Sequence, residues 1–113
     1  MTEITWQRFL DATEPVHALV VQEDEALIGF VHYLFHRSTA RVHPTCYLQD
    51  MFTVPERRGR GVGRALIQGV CERAKAAGAY RVYWITGRDN TVARALYGKV
   101  ATLTNFVQYR IDF

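Results

Sequence analysis

The chain has 113 residues, 49% of them hydrophobic and 22% charged, which suits one small domain with a real core, and no second domain is expected. No apolar stretch approaches the roughly 20 residues that a membrane-spanning helix needs, and residues 1–16 lack the basic start and apolar block of a signal peptide, so a cytoplasmic protein with no membrane partner is expected. A net charge of +3 invites a nucleic-acid partner, but four of the 14 basic residues, Arg57, Arg58, Arg60 and Arg64, crowd into one short stretch, a focused anion site rather than a basic face.

In chain order, Trp6, Phe9 and Leu10 sit at helical spacing and Glu14-Pro15 ends the segment, so a short helix and then a break are predicted. His17–Gln22 and Ala26–Phe35 are apolar runs on either side of the acidic tip Glu23-Asp24-Glu25, the pattern of an antiparallel hairpin. After a polar loop, Cys46–Val54 is rich in aromatic and branched residues and is stopped by Pro55, which predicts a central strand. From Val62 the period changes: Val62, Leu66, Val70 and Ala74 recur on one stripe with Ile67 beside it, and Gly78 stands where a C-cap belongs. Tyr80–Thr86 reads as strand. Asn90 then opens a helix through Val92, Leu96 and Val100, and Phe106–Phe113 alternates as a last strand. This order predicts an α/β fold with a mixed, mostly antiparallel sheet flanked by helices, residues 1–113 forming one domain. Cys46 and Cys71 lack CxxC spacing and a His cluster, so they are expected to be reduced, packed thiols with no metal.

The turn between the third strand and the first long helix reads Pro55-Glu56-Arg57-Arg58-Gly59-Arg60-Gly61-Val62-Gly63-Arg64. Its alternate glycines allow backbone angles that other residues resist and let N–H groups approach a ligand closely. Because the turn opens a helix, unbonded first-turn amides and the helix dipole act together on a phosphate, with Arg58, Arg60 and Arg64 as cations beside it. Spacing rejects two familiar phosphate loops. Arg64-Ala65 follows Gly63 where a P-loop needs Lys and Ser or Thr, and the dinucleotide pattern fails at Arg64 in one register and at Leu66 in the other.

Val54-Pro55-Glu56 followed by Arg58-Gly59-Arg60-Gly61-Val62-Gly63-Arg64-Ala65-Leu66 resembles the [QR]xxGx[GA] motif of the GNAT superfamily of N-acetyltransferases. Tyr47–Phe52 is similar to the strand that precedes this motif, and Asn90 with Ala93, Ala95, Leu96 and Tyr97 resembles the second signature, whose Asn and Tyr face the sulfur end of the cofactor. The resemblance implies a transfer of acetyl from acetyl-CoA to a primary amine by direct attack. It implies that the amides of Gly59, Arg60, Gly61, Val62, Gly63 and Arg64 bind the pyrophosphate. Backbone groups of Phe52, Thr53 and Val54 would pair with the pantetheine arm in a gap between their strand and Arg81–Thr86, Asn90 and Ala93 would line the arm, and Tyr97 would stand near the thioester.

An alkyl ammonium with a pKa near 10.4 costs about 4.6 kcal/mol to deprotonate at pH 7, so a base should help. Asp50 is the first candidate, its parity depending on whether its strand bulges; His32 and His36 are weaker ones, and Gln49 stands where related members carry a Glu. Tyr97 as general acid is uphill by roughly 2 kcal/mol against a thiolate of pKa about 8.5, so either a lowered Tyr pKa or a hydrogen bond without full transfer is required. Members of the family usually begin with a further strand and helix. Their absence here is consistent with a shortened chain, a reduced homologue, or a domain completed by a partner strand, a homodimer being one such assembly. An acyl-CoA-binding module with little or no turnover is the alternative function, and the acidic tip Glu23–Glu25 is expected to be a solvated hairpin turn, attraction of cationic amines being the second reading.

Overall fold

The computed structural model describes residues 2–8, 16–37, 39 and 41–113. In chain order the elements are β1 (Thr2–Arg8), β2 (Val16–Glu23), β3 (Ala26–His36), β4 (Thr45–Thr53), a short 3-10 turn (Pro55–Arg57), α1 (Val62–Ala76), β5 (Arg81–Tyr83) and α2 (Thr91–Val100). The strands form one sheet in the order β1-β2-β3-β4-β5. The first three pairings are antiparallel and β4 pairs β5 in parallel, as the crossover through α1 requires.

The core follows from two periodicities. Along β2 and β3 the apolar residues turned to one face include Leu19, Val21, Ile28 and Val31; from α1 the stripe Val62, Leu66, Ile67, Val70 and Ala74 is buried against them. Helix α1 ends in a Schellman arrangement: Gly78 has φ 83°, the Ala79 N–H donates to Ala74 O at 2.9 Å and the Gly78 N–H to Lys75 O at 3.1 Å. The hairpin turn uses Asp24 and Glu25 at φ 51° and 69°, the left-handed pair that a two-residue hairpin demands.

Three expectations are corrected. Thr2–Arg8 is a strand, each residue in register with β2 from Thr2↔Glu23 to Arg8↔His17, and not the start of a helix. The segment carries β-branched Thr2, Ile4 and Thr5 with alternating polarity, and that period of two prevails over the helical spacing of Trp6 with later residues. The helix positions Phe9 and Leu10 and the break at Glu14-Pro15 lie outside the described residues. The strand expected over Tyr80–Thr86 is confined to Arg81–Tyr83, because the chain from Trp84 onward leaves β4. Phe106–Phe113 takes no place in the sheet: residues 101–113 follow α2 with neither helix nor strand, every one of them exposed. Their alternating pattern is that of a strand with one face to bury, and the domain's own sheet does not supply the partner.

Both thiols are free. Burial, aided by the neighbouring Cys71, pushes the Cys46 thiol from the usual 9.0 up to about 12. A folded value raised above the unfolded one stabilises fully below pH 9 and loses that contribution as pH rises towards 12. Stability from urea unfolding, compared between pH 8 and pH 10.5, should therefore fall by up to about 1.4 kcal/mol per pH unit above pH 9, and Cys46→Ala should flatten most of that slope.

Candidate active site

The turn from Arg57 to Arg64 is held from below and open above. Arg57 donates to Glu23 through Nη2 at 2.8 Å and Nε at 3.4 Å, so the hairpin tip anchors the turn. That pairing also redirects the acidic tip, since Glu23 is committed to Arg57 rather than to an incoming amine. Arg58 donates from Nε to Thr53 O at 3.1 Å and lies over the Phe52 ring. The Arg57 and Arg58 amides bond to Val54 O and Pro55 O, and the next amide engaged is Ala65, which donates to Gly61 O. Between them, the N–H groups of Gly59, Arg60, Gly61, Val62, Gly63 and Arg64 have no main-chain acceptor among the described residues. Six successive unbonded amides at the positive end of a 15-residue helix form an anion cradle.

Glycine has two distinct uses in this turn. Gly59 and Gly61 stand at φ 79° and 83°, and no atom lies within 4 Å of where a Cβ would stand on either, so they bend the chain and leave it bare. Gly63 has an ordinary helical φ; a Cβ there would meet Leu96 Cδ2 at 3.2 Å, so its smallness seats α2 against α1. Arg60 and Arg64 are exposed and make no ion pair among the described residues.

Downstream of the turn's own strand, the sheet opens. The β4–β5 ladder runs only from Thr45↔Arg81 to Tyr47↔Tyr83, so from Leu48 onward β4 has an unpaired edge facing Trp84–Thr86. A cleft of about 540 Å³ fills the gap, bounded by Phe30, His32, Leu48–Phe52, Trp84–Thr86, Asn90 and Tyr97. A register shift sets Leu48 opposite Tyr33 and Asp50 opposite His32, leaving Gln49 as the bulged residue. Leu48 before the bulge is buried in the core, whereas Asp50 and Phe52 after it are exposed, so the bulge decides the parity that the sequence left open. Asp50 Oδ2 lies 3.3 Å from His32 Nδ1, and Phe30 stacks near both His32 and Phe52.

Helix α2 supplies the far wall. Asn90 precedes it but does not cap it with its side chain; instead Nδ2 donates to Thr86 Oγ1 at 3.3 Å. The loop between them is clamped by Arg94, whose Nη1 donates to Arg88 O at 2.7 Å. Tyr97, two turns on, packs edge-on to Trp84 with centroids 5.3 Å apart. Burial raises the Tyr97 pKa above that of an ordinary phenol, the direction opposite to the lowering that full proton donation would need. Within α2, Leu96, Tyr97 and Val100 pack on the core, while Val92, expected on the same stripe, is 84% exposed.

Of the residues singled out by sequence, Asp50, Phe52, Asn90 and Tyr97 meet at the cleft. Ala93 lies one turn after Asn90, half-buried and outside the cleft wall. Thr53 ends β4 and Val54 follows it, the Val54 amide being spent on Ile28 O at 2.9 Å, so its N–H faces β3 and not the gap. His36 lies elsewhere, its Nε2 2.7 Å from the Tyr83 hydroxyl. Sequence reasoning passes over Thr86 as a partner of Asn90; its place just before Gly87 in a strand that ends early is the available signal.

The acetyltransferase (GNAT) family model matches residues 1–101. The D-amino-acid N-acetyltransferase HPA3 of Saccharomyces cerevisiae is 38% identical over 108 residues, which is 94% of this chain and 67% of the yeast protein. Among solved structures, an integron cassette protein from the mobile metagenome of V. cholerae superposes with a TM-score of 0.83 at 22% identity, over 90% of this chain and 64% of that one. The aminoglycoside N-acetyltransferase AAC(6')-Iy in complex with CoA gives 0.78 at 21% identity, over 91% and 70% respectively. The chain thus spans about two thirds of the length of these relatives.

Proposed function

Because this chain belongs to the acetyltransferase (GNAT) family, we propose that it is an N-acetyltransferase carrying an acetyl group from acetyl-CoA to a primary amine by direct attack. The observation that carries this reading is the row of six unbonded amides, Gly59–Arg64, set beside a sheet that opens between β4 and β5. A diphosphate fits the first feature by charge and donor count, and an extended polar arm fits the second, because the open edge of β4 offers unpaired main-chain groups. Acetyl-CoA supplies the thioester carbonyl and a thiol leaving group.

The chain's own residues then divide the work. Arg60 and Arg64 add charge to the amide cradle. Thr86 and Asn90, bonded to each other, present an amide group to the arm where it crosses the gap, and Phe52 forms its floor. On the opposite wall, the carboxylate of Asp50 accepts a hydrogen bond from the incoming ammonium and, directly or through water, its proton, while His32 fixes the carboxylate's orientation at 3.3 Å. Tyr97 keeps its proton and offers the O–H as a hydrogen bond to the departing sulfur. No covalent enzyme intermediate is involved.

The name of the yeast relative makes free amino acids the first acceptors to assay, with aminoglycosides, polyamines and a lysine peptide beside them. The free thiols support a reducing, cytoplasmic setting, and no helix among the described residues is long and apolar enough to cross a membrane. Residues 1–113 act as a single domain that functions as a homodimer, a reading supported by the apolar C-terminal segment left outside the fold. Thiol release on mixing the protein, acetyl-CoA and this amine panel tests the activity: turnover with at least one amine is expected, and acetyl-CoA binding with no release across the panel would leave only a binding module.

The turn can be tested with a matched pair. Gly61→Val and Gly78→Val place the same branched residue at the same φ of 83°, each costing about 1–2 kcal/mol of stability by urea unfolding. Only Gly61→Val should also weaken acetyl-CoA, by about tenfold in calorimetry, because only there do the displaced amides hold the ligand.

A further inference from the structure

Phe30 has no part in the proposed chemistry, yet it stands at the centre of a row of rings on the cleft wall. In β3 the residues turned to α1 are Gly29, Val31 and Tyr33: a Cβ on Gly29 would meet Val62 Cγ1 at 2.8 Å, and Val31 and Tyr33 are fully buried. The period of two therefore sends Phe30 and His32 to the opposite face. There the Phe30 centroid lies 4.9 Å from that of His32 and 5.7 Å from that of Phe52, with interplanar angles of 36° and 31°. Arg58 closes the row, its Cζ 5.9 Å from the Phe52 centroid. Phe30 is only half-buried and Phe52 is 43% exposed, so both rings keep uncovered surface on the cleft that they line.

The charge of the same cleft is as sparse as its rings are dense. Among the described residues that bound it, Asp50 is the one carboxylate, and there is no Lys or Arg. Glu23, at the tip of the neighbouring hairpin, is paired with Arg57. One carboxylate holds one ammonium. Further ammonium groups would give up water beside Trp84, Tyr97 and the two Phe rings with no counter-charge, a cost that falls on a polyamine or an aminoglycoside and not on a monoamine. The register then sets the size of the ligand. Phe30 pairs with Phe52 and His32 with Asp50, so Phe30 and Asp50 are diagonal neighbours, a relation that separates Cα atoms by about 7–8 Å. An ammonium held by Asp50, with a ring one or two carbons away, can set that ring over Phe30 at the centroid spacing of about 4.5–7 Å that aromatic pairs prefer.

We propose that the acceptor is an amine with a single ammonium one or two carbons from an aromatic ring, and that Phe30 is the residue that selects it. The inference rests on the acetyl-transfer reading for its reaction, and on the ring row and the single carboxylate for its specificity. Asp50, oriented by His32, takes the ammonium, and the ring of the acceptor stacks on Phe30. An aliphatic chain of the same length covers that surface less well, because flat rings meet over a larger area and gain from offset stacking. An arylalkylamine and a free aromatic amino acid share this chemistry. They differ in the carboxylate, to which the described residues of the cleft wall offer no Lys or Arg.

Calorimetry on the full chain with coenzyme A present, so that no acetyl group is there to transfer, tests this without turnover. Phenylethylamine should bind about tenfold more tightly than butylamine or spermidine. Phenylalanine separates the two sources, and either result supports the proposal: binding as tight as that of phenylethylamine or tighter marks free aromatic amino acids as acceptors, and weaker binding marks simple arylalkylamines. Phe30→Leu removes the ring and keeps an apolar side chain, so coenzyme A affinity should stay within about twofold while the preference for phenylethylamine over butylamine falls to about twofold or less. The comparison among amines on the unaltered chain stands by itself if the variant does not fold. Equal or tighter binding of spermidine or butylamine overturns the proposal, as does a preference that Phe30→Leu leaves intact, and so does the absence of binding by every amine. Failure of the acetyl-transfer reading shows elsewhere, as acetyl-CoA that binds and releases no thiol with any amine, so the two failures are distinguishable.

Discussion

Tyr97→Phe should lower kcat by about 100-fold while leaving acetyl-CoA affinity within about twofold. The phenol ring is held by Trp84 and by the core, so removing one oxygen leaves the packing in place. What is lost is the O–H, the hydrogen-bond donor assigned to the sulfur as it gains charge, and hydrogen bonds to charged groups contribute about 1.5–3 kcal/mol. Burial also raises the Tyr97 pKa, which makes complete proton transfer to a thiolate harder than it would be for an exposed phenol and makes hydrogen bonding the effective role. The pH dependence follows with a definite sign. A raised value keeps Tyr97 protonated below the ordinary phenol range, so no fall in kcat assignable to it should appear below about pH 10. Steady-state kinetics with calorimetry on the same preparation checks both parts, and equal losses in kcat and in affinity would remove Tyr97 from the chemistry and leave it as a wall residue.

The second large effect belongs to charge at the turn. Arg60→Glu with Arg64→Glu converts two exposed cations beside the unbonded amides into anions, with no ion pair to break among the described residues. At low ionic strength acetyl-CoA affinity should fall by about 100-fold, each reversal contributing roughly 1–1.5 kcal/mol across a few ångströms of water-accessible space. Near 1 M salt, where the Debye length is about 3 Å, most of that penalty should vanish. The fold should be indifferent, since neither side chain enters the core. Arg57 would respond otherwise: its bidentate contact with Glu23 ties the turn to the hairpin, so its loss disturbs position rather than charge.

The same turn shows how far a sequence can be read. The α1 stripe and its Gly78 stop are legible because one period of about four residues and one left-handed cap are local properties. The glycine-arginine turn is legible for the same reason, since it declares its conformation and charge in consecutive letters. Other features depend on partners distant in the chain. The bulge at Gln49 appears only when β3 and β4 are paired, and it alone decides that Asp50 faces the cleft while Leu48 faces the core. The pairing of Glu23 with Arg57 joins residues 34 positions apart, and nothing local distinguishes a tethered acidic tip from a solvated one. Thr2–Arg8 is mistaken for helix because Trp6 keeps a helical spacing to residues that follow it in the sequence, whereas pairing with β2 is a tertiary fact. In Phe106–Phe113 the strand pattern is plain in the residues, but pattern alone does not say which sheet accepts the strand.

The proposed acetyl transfer depends on the amides of Gly59–Arg64 receiving a diphosphate. The most direct measurement is a titration of the isotopically labelled protein with coenzyme A, following backbone amide resonances. The N–H signals of residues 59–64 should shift together and saturate with a single dissociation constant, and pantetheine, which lacks the diphosphate, should leave them in place. If coenzyme A binds and those six signals do not move, or if it does not bind to the folded chain at all, the assignment is wrong.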